Sequence, residues 1–300
     1  NKLKVDENEP FFHWYHFMGT HAPYIPPKWV MNILESRNVE YKSYNLKKIM
    51  QEKIKLKDEE LQYIRKLYAG ELYHLDFELR KIFDFLKKND LWEKSFIIIT
   101  SDHGEDLYQH NIYFFHEPSI YNTSLRIPLI IKFPGQKKRI LIKELVSLID
   151  VFPTIYHYFV RDDSFKNSNI PFSGNSLLEL INGKSGKFSK RILFAGTEKF
   201  KIVAAHFRQW KFIFNPLNIT PITRKNVIYP IKREELYNIL QDPYERCIIH
   251  KNKIKGYLIK EILKFKKKYT YKKLKMIKNK IDKDTLRKTN DLLKSLGYVN

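Results

Sequence analysis

Asp102 and His103 sit side by side directly after the apolar run Phe96-Ile97-Ile98-Ile99, within Thr100-Ser101-Asp102-His103-Gly104-Glu105. A short β-branched run ending in Ser-Asp-His-Gly reads as a buried strand that delivers a carboxylate and an imidazole to a loop at its C-terminal end, where open α/β sheets bind ligands. A hard oxygen ligand beside a nitrogen ligand suits Ca²⁺, Mn²⁺ or Zn²⁺. Gly104 lets the backbone turn sharply after them. The same pair could instead cap a following helix without any metal. His21 and His116 carry the second kind of chemistry, since a loop imidazole can act as general acid or bind an oxyanion. Loop histidines more often make ordinary surface hydrogen bonds, and His110 shares both readings. No Walker-type glycine loop and no G-x-S-x-G elbow occurs, and no activated nucleophile is recognisable.

These residues need elements to hold them. Phe11–Phe17 is aromatic-rich and suggests a strand, followed by the proline-rich loop from Met18 to Pro27 that contains His21. Residues 40–67 suit a surface helix or helical pair. Leu61, Ile64, Tyr68, Leu72, Leu75, Leu79, Ile82 and Leu86 recur at helical steps, giving one long amphipathic helix with Tyr68 at the edge of its buried face. Leu125–Phe133 reads as the next strand and Leu141–Val160 as a further helix. Helix, short turn, strand is the rhythm of a parallel α/β sheet. The rhythm changes near residue 190. Arg191–Ala195, Lys201–Phe207, Trp210–Phe214 and Glu235–Asn238 are short runs that fit a small antiparallel sheet, followed by a basic helix over 252–281.

Composition bounds the rest. Three hundred residues, 43% hydrophobic and 29% charged, suit one large α/β domain, or one such domain with a smaller appendage, rather than disorder. No apolar run approaches a membrane span, and no secretory signal opens the chain. The single cysteine, Cys247, excludes an internal disulfide and a cysteine-based zinc site; its apolar neighbours suggest a buried structural thiol. The net charge is +22, and residues 251–300 carry 17 Lys/Arg against four Asp/Glu. Such an end reads as a solvated helix face or as a binder of polyanions.

Taken in order, the motifs resemble the sulfatase family of the alkaline-phosphatase superfamily. His21-Ala22-Pro23-Tyr24, Tyr68-Ala69-Gly70-Glu71, the Ser101–Glu105 block with His110, His116, Tyr121 and Arg126-Ile127-Pro128-Leu129, and Asp150-Val151-Phe152-Pro153-Thr154 all look like family segments. So do Gly174-Asn175-Ser176-Leu177, Glu235-Leu236-Tyr237-Asn238 with Asp242-Pro243, and Leu296-Gly297-Tyr298-Val299.

The resemblance implies an alkaline-phosphatase-like α/β sandwich with a mostly parallel central sheet. Residues 1–190 would be the C-terminal part of the catalytic domain, and 191–300 a small subdomain of antiparallel sheet and basic helix. It implies Asp102 and His103 as two ligands of a divalent cation, usually Ca²⁺, or Mn²⁺ or Zn²⁺ in a phosphatase-type relative. His21 would bind the sulfate or protonate the leaving oxygen, and His116 would stand against the sulfate. The expected activity is hydrolysis of sulfate monoesters on a sulfated small molecule or saccharide, with no nucleic-acid partner. The family's Cys/Ser-x-Pro-x-Arg nucleophile motif and its Asp pair do not occur in these residues, so the chain reads as a catalytically incomplete fragment truncated at its front. Phosphodiesterases and phosphoethanolamine transferases of the same superfamily, and a non-catalytic polyanion binder, are the alternatives.

Overall fold

The computed structural model describes residues 10–35, 44–46, 48–49, 54–112, 114, 116, 119–160, 174–197, 200–218 and 231–268. The expectations for most of 40–53 and for 161–173, the basic run beyond Lys268 and the Leu296–Val299 motif lie outside these residues.

Two helices and a strand pair carry the N-terminal half. Helix α1 (Lys28–Glu35) packs on α2 (Asp58–Lys88). The long helix follows the apolar stripe read from the sequence at Leu61 and Ile64, which are buried with Met31, Tyr24 and Phe114 in one core; Leu67, outside that stripe, joins them, and Leu72, inside it, is exposed. Three acidic residues in its first turn and two lysines in its last complement the helix dipole. Past its end, β1 (Ile97–Thr100) pairs with β2 (Leu129–Lys132) in the register Ile97↔Lys132 to Thr100↔Leu129.

That pairing is antiparallel, and among the described residues no parallel pair occurs. A parallel pair needs a helical crossover between neighbours, whereas the chain between β1 and β2 is used up by the Asp102–Arg126 loops. The strand β1 is also half-buried rather than buried. Phe11–Phe17 is extended but joins no described strand. Its alternate side chains stack along one side, His13 on Tyr15 and Tyr15 on Phe17, and Phe12 and Trp14 are exposed at 83% and 79%.

Two further boundaries moved for local reasons. Residues Asn122–Leu125 wind into a single helical turn, so β2 starts only after Pro128, which has no N–H for a ladder. The helix expected from Leu141 begins later, as a 3₁₀ turn (Leu148–Asp150) leading into α3 (Val151–Val160). The cause is a reciprocal cap: Ser147 N–H donates to Asp150 Oδ2 at 2.8 Å, and Pro153 sits in the first α3 turn.

The C-terminal part is the antiparallel sheet anticipated from the short runs. Strands β3 (Leu193–Gly196), β4 (Val203–Phe207), β5 (Trp210–Phe214) and β6 (Glu234–Asn238) lie in sequence order. One face packs Val203, Ala205, Phe212 and Leu236 against Leu258 and Ile262 of α4 (Asn252–Lys268). The other packs Ala204, Ile213 and Tyr237 against Ile112, Ile120 and Tyr121 of the loop region after β1. Period-two alternation thus serves two cores. Cys247 is exposed rather than buried. Its N–H is held by Asp242 Oδ2 at 2.8 Å in the Asp242-Pro243 turn, while Ile248 and Ile249 beside it are partly covered.

Candidate functional site

Helix α2 positions the first of the site loops. Glu71 replaces an apolar residue on its buried face, and its Oε1 accepts the Ile25 N–H at 2.7 Å. Burial pushes the Glu71 carboxyl up, with the Ile25 amide and His74 opposing. Gly70 lets the loop lie close: a Cβ there would come within 2.8 Å of Pro26. The Ala22-Pro23 peptide is cis. In this frame His21 Nδ1 lies 2.7 Å from Ala22 O. A carbonyl only accepts, so Nδ1 carries the proton and Nε2 offers a lone pair.

The loop after β1 repeats the device. His103 Nδ1 lies 2.7 Å from Gly104 O, again leaving Nε2 as the lone-pair nitrogen. Asp102 Oδ1 accepts the His103 N–H at 2.9 Å, and Ser101 Oγ donates to His103 O. The His103 Nε2 and Asp102 Oδ2 atoms are 3.6 Å apart, a spacing that suits two ligands sharing one edge of a divalent cation's coordination sphere. Asp102 is 58% exposed at its side chain and His103 28%, so both ligand atoms are accessible. Among the described residues no group of three or more His, Cys, Asp or Glu side chains gathers as a metal site. The pair therefore fits as two ligands of a larger set.

His116 joins them. Its ring stacks on His103 at 3.7 Å between centroids and meets His21 edge-on at 5.8 Å. Three imidazoles, one from the proline-rich loop and two from the loop region after β1, thus converge beside Asp102 and Glu105. His110 does not belong to this group; it stacks on Tyr121 at 3.8 Å, and burial pushes its imidazole down.

Two supporting carboxylates, Glu105 and Asp106, carry no site role that the sequence alone assigns. Glu105 has a 6% exposed side chain, 3.7 Å from His116 Nδ1, and lies against Tyr24 and Tyr68. Asp106 is fully buried and held by Thr123 Oγ1 and Ser124 Oγ. Gly104 presses directly against this turn, its N–H donating to Ser124 O at 2.8 Å. The signal available was two consecutive carboxylates following a motif, which on charge alone resembles any solvated loop. Two later motifs support each other away from the imidazoles. Asp150 accepts from Asn175 N and pairs with Arg191 at 2.8 Å, and Thr154 Oγ1 accepts from Leu177 N.

Asp106 gives a pH test. Burial pushes its carboxyl up to about 6, against the opposing Thr123, Ser119 and Ser124 hydroxyls. Its folded value lies above the unfolded one near ~3.9, so between these values the folded state holds a proton that the unfolded state has lost. Stability falls as pH rises through that window, by roughly 2–3 kcal/mol in total from this group. In Asp106→Asn this term is removed. The stability of the variant relative to the wild type, measured by urea denaturation, should therefore rise between about pH 4 and pH 6 and then level off. A pH-independent difference would show that Asp106 titrates normally.

A strand feeding an Asp-His loop, a long helix bracing a His-x-Pro-Tyr loop and three neighbouring imidazoles make this an α/β protein with ligand-type side chains gathered at its loops. The sulfatase family model matches residues 1–159, and the chain belongs to that family. Arylsulfatase K of Rattus norvegicus is 33% identical over 159 residues, 53% of this chain and 26% of the relative. The multifunctional alkaline phosphatase superfamily protein PehA of Trinickia caryophylli is 38% identical over 106 residues, 34% of this chain and 20% of the relative. Among solved structures, a Bacteroides thetaiotaomicron protein assigned to the sulfatases aligns with a TM-score of 0.53 at 16% identity, covering 89% of this chain and 54% of that one. A 2-O GAG sulfatase aligns with a TM-score of 0.51 at 15% identity, with the same coverages. At these identities the structures speak to the fold alone. The chain spans about a quarter of the length of the curated relatives it matches.

Proposed function

We propose that this chain forms part of a metal-dependent sulfatase that hydrolyses sulfate monoesters, with a sulfated saccharide or small molecule as substrate. The observation that carries the reading is the convergence of His21, His103 and His116 beside Asp102. Asp102 and His103 Nε2 would hold a divalent cation, Ca²⁺ by family resemblance. When bound, the cation supplies Lewis-acid polarisation of the sulfate oxygens. His21 presents Nε2 to the substrate and, in its protonated form, gives a proton to the leaving alcohol oxygen. His116 lies between His21 and His103 and would contact the sulfate, placing positive or hydrogen-bonding character where charge gathers as the S–O bond breaks. No Cys/Ser-x-Pro-x-Arg segment occurs among the 300 residues, so the nucleophile is supplied from outside them.

The test uses the complete gene product, assayed on 4-nitrophenyl sulfate and bis(4-nitrophenyl) phosphate with and without a chelator. Asp102→Ala and His21→Ala should each lower kcat/KM on the sulfate ester by about 10²-fold or more. Chelation should abolish turnover and added Ca²⁺ restore it. Unchanged turnover in both variants would remove the reading. A second reading is a phosphodiesterase of the same superfamily, the superfamily that the name of PehA carries. Turnover of the phosphate ester well above that of the sulfate ester would select it.

A further inference from the structure

We propose that the cleft between the start of β6 and the start of α4 is a binding site for sulfate groups along a polysaccharide chain, separate from the imidazole cluster. Resting on the sulfatase reading for the identity of its ligand, the proposal makes the C-terminal subdomain a substrate-chain holder.

The cleft encloses about 440 Å³ and is lined by Lys232, Arg233, His250 and Lys255, with Glu234 the one carboxylate in the lining. Glu234 is already engaged by Lys255 at 2.7 Å, so Lys232 and Arg233 supply the excess positive charge. Both are exposed. Their backbone is pinned: Lys232 N–H donates to Glu235 Oε1 at 2.7 Å, and Arg233 O accepts from Asn215 N at 2.9 Å. The facing wall is pinned by Ile249 N–H donating to Leu236 O at 2.8 Å. Two cations on fixed backbone lose less freedom on binding than lysines on a loose tail.

Its place in the fold separates the cleft from the candidate active site. Leu236 points to α4 and packs with Leu258 and Ile262, whereas Glu235 and Tyr237 point to the opposite face, where Glu235 accepts the Tyr121 hydroxyl. The cleft therefore opens on the α4 face of the sheet, and the loops after β1 lie on the other. A chain bearing repeated sulfates can engage Lys232 and Arg233 with separate groups, whereas an isolated anion would engage them with one. Among the lining residues the one ring is the His250 imidazole, and there is no Phe, Tyr or Trp. A single-stranded nucleic acid is held chiefly by stacking on such rings, which favours the saccharide.

The experiment measures heparin binding by the complete protein as a function of NaCl, in the wild type, in Lys232→Gln/Arg233→Gln, and in Lys138→Gln/Arg139→Gln. The last pair carries the same charge change at an exposed site in the stretch after β2. The cleft variant should bind heparin about tenfold more weakly near physiological salt, with a salt slope lower by about two counterions. The control pair should change affinity less than twofold. Equal weakening by the two pairs, absence of heparin binding, or binding of single-stranded DNA as tight as heparin would each overturn the proposal. Turnover of 4-nitrophenyl sulfate, too small to reach the cleft, is read on the same samples and should be unchanged in the cleft variant. Heparin binding without turnover would count against the sulfatase reading and leave the cleft standing; turnover with no loss of binding in the cleft variant would do the reverse.

Discussion

Lys211→Met should destabilise the protein by about 3–5 kcal/mol, the range for breaking a buried ion pair from one side. Lys211 points from β5 into the interface with the loops after β1 and is 1% exposed. Its Nζ lies 2.5 Å from Glu245 Oε1 and donates to Asn122 Oδ1 at 3.0 Å. Burial pushes the ammonium down, and Glu245 beside it pushes back. Glu245 also accepts the Asn122 N–H at 2.6 Å, and Glu235 on β6 accepts the hydroxyls of Tyr121 and Tyr237. Removing Lys211 leaves two buried carboxylates, Glu245 and Glu235, without the positive charge of its ammonium. In Lys211→Met/Glu245→Gln the amide still accepts from Asn122, so a good part of the loss should return. Urea denaturation of the two variants checks this. A loss under 1 kcal/mol in the single variant, or no recovery in the double, would mean that the pair is not the clamp its geometry describes.

The consequence reaches the site. Asn122 opens the turn whose next two residues, Thr123 and Ser124, hold Asp106, and whose Ser124 carbonyl holds Gly104. The Asp102-His103 loop is thus braced from β5 through one helical turn. A chain cut near residue 190 would separate Lys211 from Asn122, so the C-terminal sheet acts here as a buttress for the loop.

Gly104→Ala is the second large effect expected. A Cβ at this position would lie 2.0 Å from the Thr123 carbonyl oxygen and 3.3 Å from the Ser124 Cα. The obstacles are backbone atoms, so the two segments must part, and the Gly104–Ser124 hydrogen bond goes with them. The cost should be about 3 kcal/mol or more, with the imidazole cluster disturbed as well. Gly256→Ala on α4 is the control: a Cβ there meets nothing within 4 Å, and a helical Gly→Ala change should stabilise by roughly 0.5–1 kcal/mol. Thermal melts of the two variants should move in opposite directions. Similar shifts would rule out the close approach at Gly104 as its cause.

Local chemistry wrote a good part of this molecule into its sequence. The stripe from Leu61 to Leu86 specified α2, because 3.6-residue periodicity needs no distant partner to be recognised. The short alternating runs after residue 190 specified four antiparallel strands, and the ordered motifs specified the family. His21, Asp102, His103 and His116 were legible as residue types with site chemistry.

Their assembly was decided by tertiary structure. Nothing in the spacing of His21, His103 and His116 tells that their rings meet within 6 Å, since the approach is set by Glu71 holding one loop and the 121–124 turn holding the other. The strand direction of β1 and β2 was likewise undetermined locally, because the same apolar run fits either ladder and only the path of the connecting loops chooses. Lys211, Glu235 and Glu245 read as ordinary surface charges, and only packing of the sheet on Tyr121 and Asn122 takes them out of water. Periodicity records which side of an element is buried, whereas the identity of what buries it depends on contacts far apart in the chain.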